Sequence, residues 1–406
     1  MPRFLLAWEL GGGLGHTVPL SQIARSLLDA GHEVHVALRD LSTAHGSFAP
    51  LIARGLRLWQ APVWLAGLRG LPEAATYAEL LFRAGYLDAG RLRGPVLAWR
   101  SLFEQIRPDA LLVDHAPTAL LAARGLPFAR AIVGTGFFQP PPGRPIPPFR
   151  IWERLDPRRI AQSEDRVLAT ANDILGGLGQ GPLGALHQLL EADENFLLTW
   201  REVDHFAERA ADPSTRYWGV LPTASHGAVA EWPEGDGPRV FTYMKGEYAQ
   251  VEAVLKALRD GPARTLAYVP NLAPDAARRV AGPRLRFAPA ALDMRSVCAQ
   301  ADAVVCNAGS GTVCTALQAG LPVLLFPMHA EQLLFSIRVS ASGAGLHLLE
   351  TEARERTGRA VNRLLKEPGF REAARGFAAR YSVDATHDVA ADVAARLGAL
   401  AASRTG

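Results

Sequence analysis

Lysine is almost missing from this 406-residue chain: Lys245, Lys256 and Lys366 are its only three, so arginine carries nearly all the positive charge. The formal net charge of +3 is small for the length, and the cationic side chains are spread along the chain, which argues against a nucleic-acid surface. Cysteine is scarce too. Cys298, Cys306 and Cys314 recur at every eighth residue, and their odd number argues against a disulfide framework. No C-x-x-C pair or nearby histidine suggests zinc, so no metal site is expected and the three read as buried free thiols of a reducing compartment. No stretch approaches the roughly 18 to 20 apolar residues needed to span a bilayer. The opening M-P-R-F-L-L-A-W-E-L has too short an apolar run for a signal peptide, and the expected location is the cytoplasm.

Hydrophobic residues are plentiful. They make up 49% of a chain longer than one core normally serves, so two α/β domains are expected. The most informative stretch runs from Ala303 to Gly345. An apolar strand (Ala303 to Cys306) enters a small-residue turn (Asn307 to Gly311), then a helix (Thr312 to Ala319), a stop at Gly320 and a second apolar strand (Val323 to Phe326). A glycine-rich turn at a strand-to-helix junction lets backbone N–H groups approach an anion at the helix N-terminus, which points to phosphate. The plainer alternative is that Ser310 only caps the helix. Beyond Pro327, Glu331 and Gln332 fall at the same sheet edge, and a carboxylate beside an amide suits a ligand rich in hydroxyls. Together the two turns suggest a sugar phosphate.

These residues resemble the family 1 glycosyltransferases, whose C-terminal signature reads H-x-G-x-G-T, a glutamate, G-x-P, then an acid followed by Gln. Gly309, Ser310, Gly311, Thr312, Gly320, Pro322, Glu331 and Gln332 match in order and spacing. Asn307 stands where the family has a phosphate-binding histidine, and Thr315 where a glutamate usually holds the ribose. The resemblance implies the GT-B fold: two Rossmann-like domains facing across a cleft, with the nucleotide sugar bound by the second and the acceptor by the first.

At the other end, Arg3 to Leu10 reads as a buried strand, Gly11 to Gly15 as a turn, and Leu20 to Leu28 as a helix with Pro19 in its first turn and Gly31 as its stop. Glu33 to Leu38 completes a βαβ unit. The turn lacks the third glycine of a dinucleotide fingerprint, and His16 occupies that place. A histidine at the carboxyl edge of a first strand points into the crevice where such sheets bind ligands; the plainer alternative is that it caps a helix or satisfies the turn. The resemblance here is to the family's G-x-G-H-x-x-P, matched by Gly13, Gly15, His16 and Pro19, and it implies that His16 is the base that deprotonates an acceptor hydroxyl. Asp114, at the end of the apolar strand Ala110 to Val113, is the expected carboxylate partner; the competing role is a helix cap.

Trp64, Phe82, Tyr86 and Phe137 lie in the region that lines the acceptor pocket in this family, and are expected there if they are not core. Gln139 to Pro148 (Q-P-P-P-G-R-P-I-P-P) reads as an extended surface loop near the acceptor entrance, and Ile151 to Leu190 as mostly helical with a glycine-rich break at Gly176 to Gly184. The division expected is an acceptor domain over 1–220, a connector over 221–238, a nucleotide-sugar domain over 239–384, and a last helix over 385–406 returning to the first domain. Lys245 stands after strand Val240 to Met244, where the family often has a Gly-Ser turn; it either supplies the charge that Asn307 cannot or is simply a solvent-exposed lysine.

The function so implied is inverting transfer without metal or other cofactor, from a nucleotide diphosphate sugar (UDP, dTDP or GDP) to a small, hydrophobic acceptor. A nucleotide-sugar epimerase or hydrolase, or a catalytically silent homologue, remains open, as does assembly into a homodimer.

Overall fold

Strand β1 (Arg3–Trp8) is apolar because it lies at the centre of a parallel sheet covered on both faces, and its last five residues are buried. The computed structural model of the protein describes residues 1–12, 14–65, 67–221, 227–381 and 388–405. The chain divides into two units, Met1–Gly219 with Asp388–Gly406, and Val220–His387.

In the first unit β1 is followed by α1 (Leu14–Asp29), β2 (Glu33–Leu38), α2 (Leu41–Ile52), β3 (Arg57–Gln60), α3 (Tyr77–Phe82), α4 (Ala89–Ile106), β4 (Ala110–Asp114), α5 (Pro117–Ala123), β5 (Ala129–Gly134), α6 (Pro157–Gly177), β6 (Glu194–Leu197) and α7 (Ala207–Ala211). The strands lie in the order β3-β2-β1-β4-β5-β6, all parallel, with Trp8 in register with Asp114. This is the doubly wound order, whose direction reverses between β1 and β4. Ligands bind such sheets at the carboxyl ends of those two strands. The core beneath is closed by Leu5, Leu111 and Val113 of the sheet and by Trp99 and Phe103 of α4, all buried. Each large side chain so removed from water contributes about 1.5–3 kcal/mol.

Three expectations for this unit need correction. Helix α1 starts at Leu14, so Pro19 lies inside it rather than in its first turn, and His16 is itself a first-turn residue. Gln139 to Pro148 is not a surface loop throughout: Ile146 is 1% exposed and belongs to the core, held by its N–H to Glu164 Oε2 at 2.6 Å. The helical stretch begins only at Pro157 and not at Ile151; its end at Gly177 and the short 3-10 turn at Leu186–Leu190 agree with the expected glycine-rich break.

The second unit repeats the plan with β7 (Arg239–Tyr243), α8 (Val251–Arg259), β8 (Arg264–Tyr268), α9 (Pro274–Val280), β9 (Leu285–Phe287), α10 (Met294–Cys298), β10 (Ala303–Cys306), α11 (Ser310–Gln318), β11 (Val323–Leu325), α12 (Ala330–Ala341), β12 (Gly345–His347), α13 (Glu350–Lys366) and α14 (Pro368–Arg380). Its parallel order, β12-β11-β10-β7-β8-β9, has the same reversal, here between β7 and β10. Helix α15 (Val389–Thr405) belongs to the first unit, where Arg396 pairs with Glu194 and Arg404 with Asp193. Part of the expected connector, residues 222–226, and the expected start of the last helix, at 385, lie outside the described residues. Among the described residues no helix is long and apolar enough to cross a membrane. The three cysteines are buried and free; burial pushes the Cys306 and Cys314 thiols up to about 12.

Candidate active site

The reversal point of the first sheet brings His16 and Asp114 together, 98 residues apart in sequence. Asp114 ends β4, is 4% exposed, and its Oδ1 lies 3.0 Å from His16 Nδ1. A carboxylate on that nitrogen fixes a donating Nδ1–H, which leaves Nε2 as the ring's basic nitrogen. Trp8, the last residue of β1, stacks on the imidazole with centroids 5.2 Å apart and planes at 19°. Phe138 tilts against it at 5.7 Å. Gly11 has φ +89°, and a Cβ there would collide with His16 Nε2, so this position demands glycine for two reasons. Gly13 of the matched motif lies outside the described residues.

Asp114 is not the cap of the following helix. That role belongs to Glu9, 1% exposed, whose Oε2 and Oε1 accept from the Thr118 and Ala119 N–H groups at 2.9 and 2.6 Å. Burial pushes the Glu9 carboxyl up to about 7. Next to Asp114, His115 adopts a left-handed φ of +47° and lies flat on Phe138 at 3.5 Å. Burial first, and the His16 charge second, hold its pKa well below the usual histidine value, so its ring is neutral. The loop carrying Phe138 is fixed by Arg209, which donates to the Gly136 and Gln139 carbonyls and forms a buried ion pair with Asp204. Sequence reading missed all four. The one signal Glu9 carries is that of a carboxylate closing an apolar strand, which names no partner, whereas Arg209 and Asp204 stand in a segment without a motif.

The expected acceptor residues separate into two groups. Tyr86 is 0% exposed and belongs to the core, and Phe137, at 4%, packs on Phe138, Phe149 and His205, so both rings serve packing instead of lining an open pocket. Phe82 is half-buried against the same core, and the half-buried Trp64 takes the Arg91 guanidinium over its ring at 6.0 Å.

In the second unit the reversal point collects Lys245 after β7, Asn307 after β10 and the 327–329 loop after β11. Asn307 is 5% exposed and ties these ends together: Oδ1 accepts from the Lys245 N–H at 2.8 Å, and Nδ2 donates to the Phe326 carbonyl at 2.9 Å. One N–H of Nδ2 is thereby left for any phosphate contact. Ala308 turns the chain at φ +56°, and α11 begins at Ser310 behind Gly309, with no side-chain cap. Ser310, Gly311 and Thr312 thus fill the first turn, where N–H groups lack partners within the helix. Thr315 Oγ1 donates back to the Gly311 carbonyl at 2.8 Å. Gln332 Oε1 accepts from the Met328 N–H at 2.8 Å, and Glu331 lies 4.0 Å from His329. Lys245 is exposed. His329, also exposed, has its pKa lowered by partial burial and then by the Lys245 charge, so its ring is held towards the neutral form beside that ammonium. Among the described residues no three His, Cys, Asp or Glu side chains gather as metal ligands.

Residues 275–400 match the model of the erythromycin biosynthesis protein CIII-like C-terminal domain. Over 391 residues, 91% of this chain and 87% of the relative, the sequence is 25% identical to the PGL/p-HBAD biosynthesis glycosyltransferase of Mycobacterium tuberculosis. The calicheamicin glycosyltransferase CalG4 superposes with a TM-score of 0.72 at 19% identity, covering 98% of both chains. The glycosyltransferase VinC, solved in complex with dTDP, does so with a TM-score of 0.65 at 17% identity over 99% of this chain and 100% of its own. With its two sheets of like order the chain has the GT-B fold, and along most of its length its sequence is similar to that of glycosyltransferases.

Proposed function

We propose that this protein is an inverting, metal-independent glycosyltransferase that moves a hexosyl group from a nucleoside diphosphate sugar to a hydroxyl of a small, hydrophobic acceptor. The observation that carries the reading is the 3.0 Å contact between His16 Nδ1 and Asp114 Oδ1 at the reversal point of the first sheet. With Nδ1–H held by the carboxylate, Nε2 takes the acceptor's proton as its oxygen attacks the anomeric carbon. The new C–O bond forms on the face opposite the diphosphate, the old one breaks, and its electron pair leaves with the phosphate. Asp114 stabilises the imidazolium that results. The first-turn N–H groups of α11, the Ser310 and Thr312 hydroxyls and the Lys245 ammonium receive the charge on the leaving group. Glu331 and Gln332 hold sugar hydroxyls; Gln332 does so through Nε2, since its Oε1 is bound to Met328.

The dTDP held by VinC supports a dTDP-sugar as the first donor to try, with UDP beside it. The free, buried thiols support a cytoplasmic location. The test is calorimetric titration with dTDP, UDP and GDP in EDTA. One nucleotide binding in the micromolar range is expected; binding that appears only when a divalent cation is restored would remove metal independence, and no binding under either condition would remove the donor site.

A further inference from the structure

We propose that Glu9 is a positioning residue for the His16–Asp114 pair, acting by holding the start of α5 and with it the turn that carries Asp114. The inference rests on the reading of His16 as the base. Both Glu9 oxygens are engaged, Oε2 by the Thr118 N–H at 2.9 Å and Oε1 by the Ala119 N–H at 2.6 Å. Helix α5 has no cap of its own, because its N-cap is Ala116. A serine or aspartate at that position would cap the helix locally. Here a carboxylate from another strand does so, at the helix end where negative charge is favoured.

Only His115 and Ala116 separate Asp114 from α5, and this short turn is pinned once more. The His115 carbonyl accepts from the Leu10 N–H at 3.1 Å, and Trp8 stacks on His16. Trp8, the last residue of β1, and the two residues that follow it therefore fix the base and the turn that bears its carboxylate. Keeping a carboxylate at 1% exposure, among Tyr77, Tyr86, Trp99 and Thr118, is costly, as its rise to about 7 records. An apolar residue would close the core at less cost, but would leave the first turn of α5 and Asp114 unanchored.

The test is steady-state kinetics of Glu9→Gln and Glu9→Asp in the full chain, with His16→Ala alongside. The amide matches the carboxylate in shape but offers one oxygen; the aspartate keeps the charge and loses the reach. A misplacement of this kind costs up to about 100-fold. The expected result is a 10- to 100-fold fall in kcat with both KM values within about twofold. The acid limb of the kcat/KM profile should also move to lower pH, because a displaced Asp114 supports the imidazolium less. Should the amide variant fail to fold, Glu9→Asp carries the same expectation. A wild-type kcat and pH profile in a folded variant, while His16→Ala is inactive, overturns the role of Glu9 alone. A fall in kcat accompanied by raised KM and weakened nucleotide binding marks general damage and also overturns it. Full activity in His16→Ala removes the base itself, and the proposal with it.

Discussion

Trp8 lies flat against His16, with ring centroids 5.2 Å apart and planes at 19°. An aromatic face favours a cation over it by about 0.5–2 kcal/mol, so the indole supports the imidazolium that forms when the base takes a proton. Trp8→Leu should lower the kinetic pKa of the base by up to about one unit. The acid limb of kcat/KM against pH reads this directly; an unmoved limb would mean that the stack serves packing alone.

Gly11 governs the other edge of the same ring. At φ +89°, with a Cβ directed at His16 Nε2, alanine would strain the backbone and displace the base together. Gly11→Ala should reduce kcat by about 100-fold while leaving nucleotide affinity within about twofold. Calorimetry and turnover on one preparation distinguish this from unfolding.

Why His16 and Asp114 could be read from sequence, and Glu9 could not, follows from where their signals lie. His16 stands in a local motif, and Asp114 closes an apolar strand that announces its own end. Glu9 also closes such a strand, but the N–H groups that give it a role lie 109 and 110 residues away, and nothing local specifies them. The strand-to-helix turn from Asn307 to Gly311 was legible because β10, α11 and β11 are contiguous. The tie made by Asn307 was not, since its partners lie 62 and 19 residues off. Pro19 misled because proline at a helix start is the common case, whereas here α1 starts at Leu14. The proline-rich stretch misled because composition alone reports no anchor, and its anchors are the distant side chains of Glu164 and Arg209.

Asn307→Ala should cost about 1–3 kcal/mol, because it leaves the Phe326 carbonyl without its partner in a buried position and the Lys245 N–H in a partly buried one. Denaturant unfolding measures the loss. Nucleotide binding should weaken in parallel, since the same bonds hold the ends of β7, β10 and β11 in place. A variant with wild-type stability would show that the tie is dispensable.

Glu9 also predicts a pH dependence of stability. Its folded-state pKa of about 7 exceeds the ordinary 4.5, so the native state binds more protons across that interval. Stability from this group is therefore greatest below about pH 4.5 and is lost as pH rises through about 7. The difference between wild type and Glu9→Gln should change over that window by an amount on the order of 3 kcal/mol. Unfolding curves for both proteins at pH 5 and pH 8 test it; equal differences at the two pH values would refute the shift.

The central claim is that His16 removes the acceptor's proton. The most direct measurement is product formation by wild type and His16→Ala from a nucleotide sugar shown to bind, with a panel of phenolic and aliphatic hydroxyl acceptors and the anomeric configuration read by NMR. The account predicts an inverted glycoside from the wild type and a loss of about 1,000-fold or more in the variant, with nucleotide affinity unchanged, in the range that general-base catalysis supplies. A variant that keeps most of its rate, or a product with retained configuration, would contradict it.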